Sequence, residues 1–214
     1  MNPRPTADPF DAQMLTRCIE LSRQATRDGE NPFACIICDG DRIVAETTTR
    51  AARDGDITRH AEILAISAAQ RILGTKSLAH CTIYSNIEPC AMCAFCIRET
   101  NIRRVVYSIA SPVLGGLSKW NILGDTDISD ALPEIFQAPP EVVGGLLEAE
   151  AEQVWREWHP VDWAILRQRR AMGNHDGATP VTATDSALVS VRRSFWRTLR
   201  SWLGDDHARP PGTR

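Results

Sequence analysis

The 214-residue chain lacks the features that mark membrane-spanning, secreted and fibrous proteins. No apolar run approaches the roughly 18 residues that a membrane-spanning helix needs. The N-terminal stretch MNPRPTADPFDAQ has no continuous apolar core of the kind that a secretory signal carries, and no internal repeat is present. With 43% hydrophobic and 24% charged residues, the composition is that of an ordinary globular protein, which we expect to be cytoplasmic.

The seven cysteines also argue against a disulfide framework. Their number is odd, the chain is long enough to bury a core without cross-links, and most of them stand in two short clusters. Such clusters favour metal binding or buried thiols. Cys35 and Cys38 lie three residues apart on a predicted strand. Their side chains should therefore point to opposite faces, and we interpret both as core residues.

Hydrophobic periodicity predicts helices alternating with strands. Apolar residues at helical spacing predict a helix over 10–28, and Asp39-Gly40-Asp41 between two apolar runs predicts a hairpin. Pro160 is expected to kink or split the last helix. This order predicts an α/β sheet covered by helices on both faces. The remaining elements are expected to be helices over 60–73, 90–100 and 146–170 and strands over 81–85, 102–108 and 142–143.

Composition divides the chain into an N-terminal extension (1–9), a main domain (10–172), a linker (173–189) and a basic amphipathic tail (190–214). Residues 186–214 hold six arginines against two aspartates, whereas the whole chain has a net charge of −3. The main domain is therefore acidic, which argues against a nucleic-acid-binding surface spread over it. The tail fits contact with an anionic membrane through 190–203, with RNA phosphates, with a partner subunit, or plain solvent exposure.

Two short motifs carry the candidate chemistry. His60-Ala61-Glu62 opens one predicted helix, and Pro89-Cys90-Ala91-Met92-Cys93 opens a later one. One imidazole and two thiolates suit tetrahedral Zn²⁺, and three protein ligands leave a position for water, as a catalytic site requires. Glu62 lies two residues beyond His60, so it can reach that water without displacing a ligand. We therefore expect it to carry protons.

A structural zinc site is the alternative interpretation of the same residues. Structural sites are normally closed by four protein ligands and would leave Glu62 without a role, so catalysis is favoured. Cys96 is the nearest candidate for a fourth ligand. On a regular helix it lies nearly two turns from Cys90, and we interpret it as a buried thiol.

The two motifs match the H-x-E and P-C-x-x-C signature of zinc deaminases. Together with Asn31-Pro-Phe-Ala-Cys-Ile-Ile37 and Tyr84-Ser-Asn-Ile-Glu-Pro-Cys-Ala-Met-Cys93, they make the sequence resemble the cytidine deaminase-like zinc deaminase superfamily. Its branch of guanine deaminases, tRNA adenosine deaminases and cytosine deaminases is the most similar. The resemblance implies a three-layer α/β/α sandwich with a mixed five-stranded sheet, one Zn²⁺ per chain and a homodimer.

The resemblance also implies a reaction, the hydrolysis of a C–N bond in a cyclic amidine. His60, Cys90 and Cys93 would hold the metal. Water would attack the carbon that bears the amino group, while Glu62 protonates the ring nitrogen and then the departing amine. The acidic main domain and the Asn31-Pro-Phe33 segment, which is similar to guanine deaminases, favour a free base, nucleoside or related aminated heterocycle over tRNA.

The sequence departs from the family pattern where the substrate would bind. Thr49 stands where the family commonly has Asn, Arg59 where it has a small residue, and Glu99 where it has Trp or His. These departures leave the identity of the base open. Aromatic rings at the site could contact a planar base, and main-chain N–H groups could orient it. The candidate substrate contacts are thus Phe33, Thr49, Arg59, Ala61, Glu99 and Trp120.

Two other functions remain open at this point. A tRNA adenosine-to-inosine deaminase would use the basic tail for phosphate contacts, and its binding would depend strongly on salt. A non-catalytic zinc module would use the tail to recruit a partner or a membrane. The presence of Glu62 disfavours the second alternative, because a purely structural metal needs no proton carrier.

Overall fold

The computed structural model describes residues 6–173. The predicted tail and all but the first residue of the predicted linker lie outside the described residues. No helix within the described range is long and apolar enough to cross a membrane. The elements are α1 (Pro9–Arg27), β1 (Ala34–Asp39), β2 (Arg42–Thr48), α2 (Ala51–Asp54), α3 (Ala61–Leu73), β3 (Cys81–Ile87), α4 (Ala91–Glu99), β4 (Arg104–Ile109), α5 (Thr126–Ala131), β5 (Glu141–Gly144), α6 (Glu148–Trp158) and α7 (Pro160–Gln168).

The five strands form one sheet in the order β2-β1-β3-β4-β5. Strand β1 is antiparallel to β2 and β3, whereas β3, β4 and β5 run parallel. Helices α3 and α4 pack with one face of the sheet, and α1 and α6 cover the other. The predicted three-layer α/β/α sandwich is thereby confirmed. Cys35 and Cys38 belong to core clusters on opposite faces, as their spacing predicts.

Helix α1 is fixed to the sheet by a buried carboxylate. Asp8 caps the helix by accepting from the backbone N–H of Asp11, and the Asp11 side chain accepts from the backbone N–H of Asp8. The completely buried Asp11 carboxylate also accepts from Arg104 of β4 and from the hydroxyl of Tyr84 of β3. The helix start and the centre of the sheet are therefore held by one group.

The split at Pro160 is confirmed. The region over 146–170 is divided into α6 and α7 at His159-Pro160, where the proline has no N–H for a continuous helix. Hydrophobic periodicity does not predict the short helices α2 and α5; the six residues of α5, TDISDA, contain no apolar repeat.

Candidate active site

The candidate metal ligands lie at the starts of two neighbouring helices. His60 is the N-cap of α3 and Cys90 is the N-cap of α4, and neither side chain makes a capping hydrogen bond. Helices α3 and α4 contact each other on the same face of the sheet, so their N-termini come together. Cys93 lies one turn into α4 and is fully buried. The fold therefore brings one imidazole and two thiols to a single point.

The distances within this group fit a tetrahedral zinc ion. The two sulfurs are 3.7 Å apart, and His60 Nδ1 lies 3.7 Å from Cys90 Sγ and 3.5 Å from Cys93 Sγ. Zinc–sulfur bonds of about 2.3 Å and a zinc–nitrogen bond of about 2.0 Å at tetrahedral angles require S···S near 3.8 Å and S···N near 3.5 Å. Both the donor chemistry and the spacing therefore suit Zn²⁺ held through Nδ1.

Hydrogen bonds among the three groups shift their pKa values. The hydrogen bonds from Cys93 and His60 lower the pKa of Cys90 to about 4, and the dipole at the start of α4 favours the same thiolate. The hydrogen bond with Cys90 and burial raise the pKa of Cys93. The hydrogen bond with Cys90 raises the pKa of His60. An arriving metal ion would displace the Cys93 proton, because only thiolates ligate.

Glu62 lies in the first turn of α3 and is only 7% exposed. The Ser85 hydroxyl donates a hydrogen bond of 3.4 Å to Glu62 Oε1. Burial raises the pKa of Glu62, and the negative charge of Cys90 acts in the same direction. The carboxyl group therefore lies beside the metal-ligand group, and its raised pKa favours the exchange of a proton near neutral pH.

An apolar cavity of about 360 Å³ adjoins these residues. His60, Glu62 and Cys90 line it, and Phe33 packs edge to face against Trp155 at a ring-centre distance of 5.2 Å. Helices α6 and α7 supply much of the remaining wall. The other apolar lining includes Ile87, Val113, Leu114, Trp158, Leu166 and Met172. Such a space suits a flat, weakly polar molecule with one reactive edge.

The candidate substrate contacts are not all placed at this cavity. Phe33 lines it, whereas Thr49 is buried nearby and donates its hydroxyl to the carbonyl of Arg59 at 3.2 Å. The Arg59 side chain forms an ion pair with Asp54 at 3.1 Å. Within residues 6–173, the cavity lining does not include the other five candidates. These are Thr49, Arg59, the buried Ala61, the exposed Glu99 and Trp120, which is 57% exposed. Their roles in substrate binding stay predictions.

Sequence reasoning did not find the wall formed by α6 and α7. Trp155 and Trp158 belong to a recognised helical stretch, but periodicity shows only that one face is buried, not against which element. Glu88 also lines the cavity and is not among the candidates from the sequence. Its position directly before Pro89-Cys90 is the signal that could indicate it. Cys96 is half-buried, not buried as expected, and it lies outside the metal-ligand group found within residues 6–173.

The fold and the site together define a class of protein. A mixed sheet that brings one imidazole and two thiols to adjacent helix N-termini, with a buried glutamate beside them, is the arrangement of the zinc-dependent hydrolytic deaminases. The family model for the cytidine and deoxycytidylate deaminase zinc-binding region matches residues 9–109. A probable cytosine deaminase of Schizosaccharomyces pombe is 34% identical over 151 residues, covering 66% of this chain and 87% of that relative. The chain therefore belongs to the cytidine and deoxycytidylate deaminase family.

Other relatives differ in size and activity. A tRNA(Ile)-lysidine synthase of Deinococcus deserti is 33% identical over 165 residues, but these cover 77% of this chain and only 28% of that relative. A solved tRNA:A34 deaminase has a TM-score of 0.59 and 28% identity, covering 66% of this chain and 99% of the other. The guanine deaminase of Nitrosomonas europaea has a TM-score of 0.55 and 25% identity, covering 73% and 87%. The family favours catalysis over the non-catalytic zinc module.

Proposed function

We propose that this deaminase acts on a free nucleobase, a nucleoside or a related aminated heterocycle, in the manner of a guanine deaminase, and releases ammonia. The cavity carries this proposal, because one apolar, aromatic-walled space is lined by His60, Glu62 and Cys90 together. The solved guanine deaminase supports the substrate class. The cytoplasmic location and the homodimer expected from the sequence belong to the same proposal.

In this proposal the chain's own residues divide the chemistry among them. His60 Nδ1 and the sulfurs of Cys90 and Cys93 would hold the zinc, and Cys93 is the fully buried member of the group. When bound, zinc lowers the pKa of a water molecule from its bulk value to about 7. His60 and Cys90 line the cavity, so the metal-ligand group is open to a substrate on that side.

Glu62 moves the protons. Its carboxylate takes one proton from the attacking water and delivers it to the ring nitrogen. It then takes the second proton of the same oxygen and delivers it to the amine, so that the C–N bond breaks, ammonia leaves and the oxygen remains as a carbonyl. Ser85 donates to Oε1 of Glu62 and limits the orientations of the carboxylate. The apolar wall around Phe33 and Trp155 excludes water and holds the plane of the ring against the reacting groups.

A tRNA adenosine-to-inosine deaminase is the second candidate. The match with the solved tRNA:A34 deaminase covers 99% of that deaminase and 66% of this chain. A tRNA(Ile)-lysidine synthase matches 77% of this chain. The basic residues of the predicted tail would then contact phosphates. The acidic composition of the rest of the chain argues for the smaller substrate.

Ammonia release from a panel of free bases, nucleosides and aminated pterins or triazines, run beside a tRNA inosine assay, tests the proposal. We expect turnover of one or more small heterocycles and no inosine in tRNA. A protein shortened by residues 186–214 serves as the control for the second candidate, because loss of the basic tail should not change turnover of a small molecule. Inosine formation that falls on this truncation and on added salt would contradict the proposal.

A further inference from the structure

Glu88 is a buried carboxylate beside the metal-ligand group. It lies between β3 and α4, two residues before Cys90, and is only 2% exposed. Its backbone N–H donates to the carbonyl of Ile109 at the end of β4, at 2.8 Å. The backbone of Glu88 is therefore fixed by the sheet, while its side chain points to the residues that follow β4.

The Glu88 carboxylate gathers both ends of the segment over 111–118, which follows β4. Oε1 accepts from the backbone N–H groups of Leu117 and Ser118 at 3.0 and 2.7 Å. Oε2 accepts from the backbone N–H of Ser111 at 2.7 Å and from the hydroxyl of Ser118 at 2.5 Å. Hydrogen bonds to an ionised acceptor are about twice as strong as those between neutral groups. One side chain thus holds the two ends of this segment together through four hydrogen bonds.

The same segment contacts the start of α4. Gly115 forms an isolated antiparallel bridge with Cys90, and the N–H of Gly116 donates to the carbonyl of Pro89 at 2.8 Å. Val113 and Leu114, at the middle of the segment, line the cavity. The 111–118 segment therefore joins Cys90 on one side and the cavity wall on the other.

Close packing at Gly115 supports the same role independently. A Cβ added to this residue would lie 2.2 Å from Oε1 and 2.5 Å from Oε2 of Glu88. Such distances are far below van der Waals contact, so the backbone can approach the carboxylate only because Gly115 has no side chain. The carboxylate and the glycine are complementary in shape as well as in hydrogen bonding.

We propose that Glu88 is a positioning residue, which holds the 111–118 segment against Cys90 and thereby fixes both a zinc ligand and one wall of the cavity. The proposal rests on the zinc site described under the proposed function, but not on the identity of the substrate. Glu88 is among the residues that line the cavity, but both of its carboxylate oxygens are engaged by Ser111, Leu117 and Ser118, so it acts through the backbone of Pro89 and Cys90.

Zinc release from the full-length holoprotein tests this role. In Glu88→Gln, the amide nitrogen replaces an acceptor and faces either the N–H groups of Leu117 and Ser118 or the N–H of Ser111, so at least one hydrogen bond is lost. We expect zinc transfer to a chromophoric chelator to be about tenfold faster, the lower end of the effect that supporting residues have on metal sites. Glu150→Gln, which removes an exposed carboxylate from α6, is the matched control and should release zinc at the wild-type rate.

Cobalt(II) substitution separates positioning from a merely structural role. The visible absorption bands of the cobalt protein report thiolate coordination, and we expect Glu88→Gln and Gly115→Ala to shift them in the same direction. Ser118→Ala removes one of the four hydrogen bonds and should give a smaller increase in zinc release, in case the other two variants do not fold. Wild-type release rates and spectra in the variants that fold would overturn the proposal. A wild-type protein that binds no zinc would overturn both this proposal and the zinc site.

Discussion

Replacing Asp11 by Asn should destabilise the protein more than any ordinary surface substitution. Asn keeps the size of the side chain but removes the charge that Arg104 faces, in a site where Asp11 is completely buried and Arg104 is 8% exposed. Removing one partner of a buried ion pair costs about 3–5 kcal/mol, because the other charge is left without compensation. Because the pair joins α1 to the central strands, its loss should lower the free energy of unfolding of the whole domain.

The magnitude should lie at the lower end of that range. Arg104 keeps its contact with Glu141 at 3.2 Å and donates to the carbonyl of Thr6 at 3.1 Å, so its charge is partly compensated without Asp11. We therefore expect a loss of about 3 kcal/mol in the free energy of unfolding. For a domain of this size, that corresponds to a fall of about 6–12 °C in Tm.

The pH dependence gives a second, independent check. Burial alone would raise the pKa of Asp11, but the hydrogen bonds from Arg104, Asp8 and Tyr84 outweigh it and hold the pKa below its ordinary value of 3.8. A carboxyl group whose pKa is lower in the folded state stabilises the protein above 3.8 and loses this effect as the pH falls through the folded-state value. The gap in Tm between wild type and Asp11→Asn should therefore narrow below pH 3.8.

Thermal and urea unfolding, followed by circular dichroism, measure both effects. Asp39→Asn is the control, because its ion pair with Arg42 is exposed and should contribute less than about 1 kcal/mol. The reasoning is refuted if Asp11→Asn stays within about 0.5 kcal/mol of the wild type. A gap in Tm that widens on acidification would also refute it.

Two further predictions concern the site. Cys96→Ser should keep the zinc content of the wild type, whereas Cys93→Ser should lose most of it because a ligand is removed; metal analysis decides, and zinc loss in Cys96→Ser would make that thiol a ligand. Phe33→Leu should raise KM at least about fivefold if its ring stacks on the substrate, since such contacts contribute about 1–3 kcal/mol. Phe10→Leu, which changes an aromatic ring of α1 outside the cavity lining, is the matched control, and an equal KM in both variants would exclude stacking on Phe33.

The elements that carry the site were predictable because local signals coincide there. His60 and Cys90 precede helices with clear apolar periodicity and are followed by the glutamate and the second cysteine at fixed spacing. The two N-caps meet because α3 and α4 pack on one face of the sheet. The motif and the alternation of elements therefore suffice to predict the metal-ligand group from the sequence.

The cavity could not be predicted in the same way. Its far wall depends on how α6 and α7 dock, and the pairing of Trp155 with Phe33 joins residues that are far apart in the sequence. The role of Glu88 depends on three backbone N–H groups, which leave no pattern in the sequence. Likewise, the placement of Thr49 and Arg59 follows from hydrogen bonds within their own loop.

Ammonia release by Glu62→Gln at matched zinc content tests the central claim most directly. Glutamine keeps the shape of the side chain but cannot carry a proton, so we predict one zinc per chain and a fall in kcat of about 10²–10⁴ on the substrate found in the panel. Glu150→Gln should keep both the zinc and the turnover of the wild type. If Glu62→Gln holds its zinc and still releases ammonia at the wild-type rate, the site described here is not the catalytic centre.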